Sequence, residues 1–179
     1  MARSERLLDQ QRVLLAMGEL TRAIAEDSRC GAAYLALARL RAGLGDYAEA
    51  DVLYARAIHL RPVADEALRA RALMRRQQGK MVDALRDMAV YAELAPNDVS
   101  RLETLATVYI EIKAWAAALA TYRRITRLHE LQANSDEAAS ARIKVRALSL
   151  LAADADPVRL GASEDHGWTR RALARLGGS

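Results

Sequence analysis

Three short motifs in the sequence contain the residue types of cofactor and metal sites. Gly43, Gly45 and Ala48 have the spacing of the G-x-G-x-x-A loop that binds dinucleotides. That loop must follow a β-strand and begin a helix, whereas the residues before Gly43 are typical of a helix. The motif therefore predicts a turn between two helices, and we expect no nucleotide cofactor.

Neither metal-like motif is complete. His129 begins the zinc-binding pattern H-E-x-x-H, but Ala133 occupies the position of the second histidine. Asp154 and Asp156 begin like a calcium-binding loop, but Val158 occupies the position of the third oxygen ligand. The sequence therefore predicts no metal site.

Cys30 is the one thiol in the sequence, which excludes an intramolecular disulfide and a cysteine-rich metal site. A nucleophilic cysteine needs a nearby base, and the nearest histidine in the sequence is His59. The remaining histidines, His129 and His166, are scattered along the chain. Since no pair of titratable residues has a catalytic spacing, we predict that the protein is not an enzyme.

The composition predicts one all-α domain. Alanine, leucine and arginine dominate the 179 residues, and only three prolines and nine glycines interrupt them. The formal charge of +4 is the small excess of 27 basic over 23 acidic residues, and no block of the sequence is polybasic. We therefore expect no nucleic-acid partner.

No stretch approaches the roughly 20 apolar residues of a membrane span, and Asp9, Arg12 and Glu19 interrupt any signal-peptide core. A cytoplasmic location is the expectation, although removal of a leader is an open alternative.

A 34-residue period organises the middle of the chain. The segment 45–50 aligns with 79–84 and with 113–118, and Tyr54 is in register with Met88. Each unit predicts two helices, because apolar residues recur at spacings of three and four and the glycine of the first two units stands where the first helix must stop. The units are placed at residue ranges 31–64, 65–98 and 99–132.

This pattern resembles the tetratricopeptide-repeat (TPR) family, whose unit alternates large, small and aromatic positions and ends in proline. The resemblance implies a superhelical solenoid of antiparallel helix pairs with a right-handed twist. In the first unit the matching residues are Tyr34, Leu37, Ala38, Gly45, Tyr47, Ala50, Tyr54, Ala57 and Pro62.

Some positions depart from the family pattern. The third unit lacks both the glycine and the proline, and Arg41 is unusual in the first unit. The middle unit has Arg71 and Arg75 where leucine and an aromatic residue are usual. Either these arginines extend past the core towards water, or the first helix of that unit is rotated.

Segments outside the repeats have their own predictions. Residues 1–30 are expected to form an N-terminal capping helix or partial repeat, and residues 133–153 a C-terminal capping helix with Asn134 as its N-cap. Residues 154–179 are expected to be a linker followed by a short amphipathic tail.

The TPR resemblance also implies a concave groove lined by the first helix of each unit. In one subset of the family, lysine, asparagine and arginine in this groove bind the terminal carboxylate of a partner. That specificity is not expected here, because the first helices of these units contain no asparagine. Arginine predominates in the first half of the groove and glutamate in the last. The predicted groove residues are Leu35, Arg39, Ala42, Arg69, Leu73, Arg76, Glu103, Thr107, Ile110 and Glu111.

Three functions remain open. The leading hypothesis is an adaptor, within a bacterial-type complex, that binds a protein or peptide in the groove with charges setting its direction. An alternative is that the charged residues of the groove only form a solvated helix surface and take no part in binding. A second hypothesis is a chaperone of the type III secretion class. A third is self-assembly into homo-oligomers through the tail residues Trp168, Leu173 and Leu176.

Overall fold

The computed structural model describes residues 2–154, with side chains described for residues 11–153. Apart from Asp154, which belongs to the last helix, the predicted linker and tail, including Trp168, Leu173 and Leu176, lie outside this range. The described residues form eight α-helices and no strand, which confirms the all-α prediction for them. The helices are α1 (Ala2–Glu26), α2 (Gly31–Gly43), α3 (Tyr47–His59), α4 (Ala64–Gln77), α5 (Met81–Glu93), α6 (Val99–Glu111), α7 (Trp115–Leu131) and α8 (Ser135–Asp154).

The chain divides into two compact units between Gln78 and Gly79. In unit 1, α1 packs on α2, α2 on α3 and α3 on α4, and α4 also contacts α2. Its core joins small residues to one aromatic ring, so that neighbouring helices approach closely. The buried residues of this core are Leu35, Ala38, Ala50, Tyr54, Ala57, Ala67 and Met74.

Unit 2 contains α5 to α8, packed in sequence order. Its largest fully buried side chains are Met88, Leu102, Ile125 and Val108. Helix α8 packs against α7.

Burial follows the 34-residue period. In the first helix of each predicted pair, Ala38, Ala72 and Ala106 are all 0% exposed. In the second helix, the equivalent residues Ala50, Ala84 and Ala118 are also fully buried. Because alanine leaves room for a neighbouring backbone, these positions allow the helices of each pair to pack at short range.

The turns between paired helices share one backbone conformation. Gly45 and Gly79 have φ of +86° and +72°, and Lys113 at the equivalent third position has φ of +59°. In the first turn Asp46 N–H donates to the Arg41 carbonyl at 2.9 Å, and in the third Ala114 N–H donates to the Tyr109 carbonyl at 2.8 Å. This left-handed residue closes the helix C-terminus, so the third turn keeps its geometry without glycine.

No helix within residues 2–154 is both long and apolar enough to cross a membrane.

Candidate partner-binding surface

In unit 1, α2 and α4 present neighbouring exposed rows. On α4, Glu66, Arg69 and Leu73 are exposed at spacings of three and four, so they share one helix face. Arg39 of α2 joins the two helices, because its Nη2 lies 3.1 Å from Glu66 Oε2. We name the surface formed by Arg39, Glu66, Arg69 and Leu73 the α2–α4 face.

The predicted groove residues of unit 1 do not all reach this face. Arg39 and Arg69 are exposed, and Leu73 has 37% of its surface exposed. Arg76 is half-buried. Leu35 is only 4% exposed and packs in the core, so its side chain is not presented to a partner. Ala42 is half-buried against the same core.

Tyr54 lies in the core close to Arg39. Burial raises the pKa of the Tyr54 phenol above its ordinary value, while the positive charge of Arg39 acts in the opposite direction. The positive charge of Arg39 therefore acts on the buried phenol of Tyr54, while its guanidinium forms an ion pair with the exposed carboxylate of Glu66.

In unit 2, the predicted residues lie on α6, and one of them, Glu103, reaches α8. Glu103 Oε1 is 3.5 Å from Lys144 Nζ of α8, and the same ammonium lies 5.0 Å from the ring centre of Tyr122. Thr107 is exposed and its hydroxyl donates to the Glu103 carbonyl at 2.9 Å. Ile110 is half-buried, whereas Glu111 is exposed.

A cavity of about 180 Å³ adjoins Glu103. It lies among α6, α7 and α8, and the Nδ1 atom of His129 is buried there with no hydrogen-bond partner among the described residues. The lining residues are Val99, Glu103, His129, Glu137, Ser140, Ala141 and Lys144.

The sequence reasoning missed Glu137 and Lys144, although a signal for both existed. Glu137 stands one 34-residue period after Glu103, and Lys144 stands one period after Ile110. Extending the repeat register into α8 would therefore have placed both on the same surface as α6. The structure shows that Glu103 forms an ion pair with Lys144 of α8.

These surfaces offer ion pairs and apolar contacts to a ligand. Within the described part of the chain, no three His, Cys, Asp or Glu side chains are grouped to hold a metal ion. The predicted lack of enzymatic activity stays a prediction. Two of the predicted charged groove residues already have partners of opposite charge. Arg39 pairs with Glu66, and Glu103 pairs with Lys144.

No protein-family model matches the sequence, and comparison with curated proteins finds no match. Solved structures do match. The chain is similar to MamA (residues 41 to the end) from Desulfovibrio magneticus, with a TM-score of 0.54 and 16% identity over 86% of this chain and 93% of that one.

Two further structures show the same likeness. A tetratricopeptide-repeat protein from Parabacteroides merdae has a TM-score of 0.56 and 18% identity, over 80% of this chain and 63% of that one. PilF from Pseudomonas aeruginosa has a TM-score of 0.52 and 20% identity, over 73% of this chain and 66% of that one. At this level of identity the likeness concerns the fold. The chain therefore has the all-α solenoid fold of the tetratricopeptide-repeat proteins, which confirms the fold that the resemblance of its repeats implies.

Proposed function

We propose that this protein is an interaction module that binds a peptide or helix of a protein partner on the α2–α4 face. The observation that carries the proposal is the exposed Leu73, which shares one face of α4 with Arg69 and with Glu66, the ion-pair partner of Arg39 on α2. An apolar side chain on a face that also carries arginines is suited to a partner segment that carries one apolar anchor and adjacent carboxylates.

The ion pair on this face does not block such a partner. Arg39 and Glu66 are both more than half exposed as side chains, at 52% and 65%. An exposed pair of this kind contributes little to stability, typically about 0 to 1 kcal/mol. A carboxylate from a partner can therefore replace Glu66 on Arg39 at small cost.

Neighbouring side chains on α2 leave space for a ligand backbone. Ala32 and Gly43 are exposed on the same helix as Arg39, at spacings of seven and four residues. These small residues let a bound segment approach α2 closely, while Arg39 supplies the charge.

Unit 2 presents a face of the opposite charge. Glu103 shares one side of α6 with the half-buried Ile110, seven residues further on, and Glu111 follows Ile110 directly in the chain. This face would suit a basic segment, in competition with Lys144.

The test is affinity capture followed by a quantitative binding measurement. Full-length tagged protein serves as bait, captured proteins are identified by mass spectrometry, and the dissociation constant of the main partner is measured. The variant Arg69→Glu, Leu73→Asp should weaken binding at least about tenfold, because it reverses one charge and places a carboxylate at the anchor.

A matched control uses the same spacing on a different helix. Val82 and Arg86 are exposed on α5 and also stand four residues apart. The variant Val82→Asp, Arg86→Glu should change the dissociation constant by less than about twofold, as expected outside the contact area. Equal weakening by both variants would reject the α2–α4 face as the binding surface.

Two alternatives give different results in the same experiments. A single captured client that aggregates when separated from this protein would indicate a dedicated chaperone. Self-assembly through Trp168, Leu173 and Leu176 predicts that removal of residues 161–179 lowers the mass in solution. If the truncated and full-length proteins are equal monomers, the tail does not mediate oligomers.

A further inference from the structure

Three arginines and a histidine surround one cavity in unit 1. The cavity has a volume of about 510 Å³ and is lined by Arg29, Arg56, His59, Leu60 and Arg61. Arg29 belongs to the turn between α1 and α2, whereas Arg56 and His59 lie in the last turn of α3 and Arg61 follows that helix. We name this cavity and its lining the basic pocket.

The two chain segments meet because Gly31 allows a close approach. A Cβ atom at Gly31 would lie 3.1 Å from Val63 Cγ2 and 3.4 Å from Leu60 Cβ, closer than most side chains tolerate. The turn before Gly31 is held by Asp27, whose Oδ1 accepts a hydrogen bond from Arg29 N–H at 2.9 Å. The position of Arg29 beside the end of α3 is therefore built into the backbone.

The positive charges of the basic pocket are not compensated within the described part of the chain. No ion pair involves Arg29, Arg56 or Arg61 there, and no acidic side chain lines the cavity. Several other arginines of unit 1 form ion pairs with carboxylates at short range. Examples are Arg22 with Glu26 at 3.0 Å and Arg41 with Asp46 at 3.1 Å.

In unit 2, the arginine in register with Arg56 has a carboxylate nearby. Arg124 stands two repeat periods after Arg56, donates a hydrogen bond to the Pro96 carbonyl at 2.6 Å and lies 4.0 Å from Glu93. In unit 1 the residue in register with Glu93 is Ala25. Arg56 therefore has the same repeat position as Arg124 but lacks the glutamate that lies near Arg124. Its guanidinium is available to an external anion.

We propose that the basic pocket binds an organic phosphate through charge-assisted hydrogen bonds from Arg29, Arg56 and Arg61. The planar guanidinium group matches the geometry of phosphate oxygens and can bind two of them at once. A volume of about 510 Å³ lies within the range of ligand pockets, roughly 300 to 1,000 Å³, so there is room for more than the phosphate group itself.

This site is separate from the proposed partner-binding surface. Arg39 stands eight residues after Gly31 on α2, which corresponds to about 12 Å along the helix axis. The basic pocket is built from residues of the α1–α2 turn and the end of α3, none of which belongs to the α2–α4 face. Binding at one site can therefore be tested independently of the other.

The experiment is isothermal titration calorimetry of the full-length protein at constant ionic strength of about 150 mM, where exposed charges are screened. The probes are inorganic pyrophosphate and a phosphoserine peptide, with the unphosphorylated peptide and a short DNA oligonucleotide as comparisons. The test variant is Arg56→Gln, Arg61→Gln. The control is Arg123→Gln, Arg127→Gln, which removes two exposed arginines from α7.

We expect saturable binding of pyrophosphate or of the phosphoserine peptide with a stoichiometry of one. The Arg56→Gln, Arg61→Gln variant should weaken this binding at least about tenfold while its melting temperature stays within a few degrees of wild type, and the control should leave binding unchanged. Pyrophosphate binding alone indicates a free phosphorylated small molecule as the ligand. Phosphopeptide binding alone indicates a phosphorylated side chain.

Two outcomes would overturn the proposal. The first is that the test and control variants weaken phosphate binding equally, because binding would then depend on the total charge of the protein and not on the basic pocket. The second is binding of the DNA oligonucleotide only, because a diffuse positive surface binds polyanions without a pocket for a single phosphate group.

Discussion

Arg75 on α4 forms a two-point ion pair with Asp51 on α3. The Nε atom of Arg75 lies 2.8 Å from Asp51 Oδ1, and its Nη2 lies 2.9 Å from Oδ2. Only 17% of the Arg75 side chain is exposed, compared with 38% for Asp51. This pair explains how an arginine is accommodated where TPR units usually have an aromatic residue.

Helix α4 keeps its register despite this substitution. Ala72, three residues before Arg75, is fully buried in the same position as Ala38 and Ala106. The helix is therefore not rotated, and Arg75 does not extend into water but is accommodated beside the core by its ion pair with Asp51. Arg41, the equivalent residue of the first unit, similarly reaches Asp46 at 3.1 Å.

The first prediction concerns the free energy of this ion pair. A double-mutant cycle with Arg75→Met and Asp51→Ala should give a coupling energy of about 1 to 2 kcal/mol in urea unfolding, because both hydrogen bonds are charge-assisted and partly shielded from water. The exposed pair of Arg86 and Asp83, at 2.7 Å, is the control and should give at most about 0.5 kcal/mol. Equal coupling in both pairs would contradict the role of burial.

The second prediction concerns the turn without glycine. Lys113 has φ of +59°, a conformation that disfavours side chains with a Cβ atom. Replacing Lys113 by glycine should raise the free energy of unfolding by about 1 kcal/mol. The reverse change at the equivalent first turn, Gly45→Ala, should lower it by a similar amount, even though a Cβ atom there would meet nothing within 4 Å. Chemical denaturation measures both, and a stabilised Gly45→Ala variant would show that backbone strain is not the cause.

The third prediction concerns stability at alkaline pH. Burial raises the pKa of Tyr54 above 10.0, with Arg39 opposing the shift, and burial together with Glu93 raises the pKa of Tyr109. Above pH 10 the unfolded chain therefore loses these protons before the folded chain does. The free energy of unfolding should be unaffected by these phenols below pH 10 and should fall as the pH rises further.

Tyr54→Phe tests this dependence directly. Tyr54 is 2% exposed, and phenylalanine preserves its ring while removing the ionisable group. The loss of stability between about pH 9 and pH 11, followed by urea denaturation, should be smaller in this variant than in the wild type. Tyr47→Phe, at an exposed position, controls for the substitution itself. An unchanged loss in Tyr54→Phe would exclude a contribution from the buried phenol.

The residues of the candidate site could be predicted only in part from the sequence. Arg39, Arg69 and Leu73 are exposed as the repeat register predicts, because exposure on a helix follows directly from spacing. The repeat register also predicted that Leu35 lines the groove, but Leu35 is buried in the core. Its burial depends on how neighbouring helices pack around α2, which the spacing within α2 does not specify.

Charge compensation was likewise decided by packing. The sequence indicates arginine towards the first half of the predicted groove and glutamate towards the last, but the partners of these residues stand far away in the chain. Glu66 and Lys144 are 27 and 41 positions from the residues they neutralise, Arg39 and Glu103. Pairing across such distances follows from helix contacts, so no local pattern reveals it.

The sequence by itself determined the class of fold and the repeat register, because the 34-residue spacing of small and large side chains allows one regular way of pairing helices. It also determined the turn positions, where a left-handed residue must end each first helix. Only the tertiary structure decided which charges remain uncompensated. Arg56, His59 and Arg61 are close in sequence, but Arg29 joins them only because Gly31 lets two turns approach within van der Waals contact.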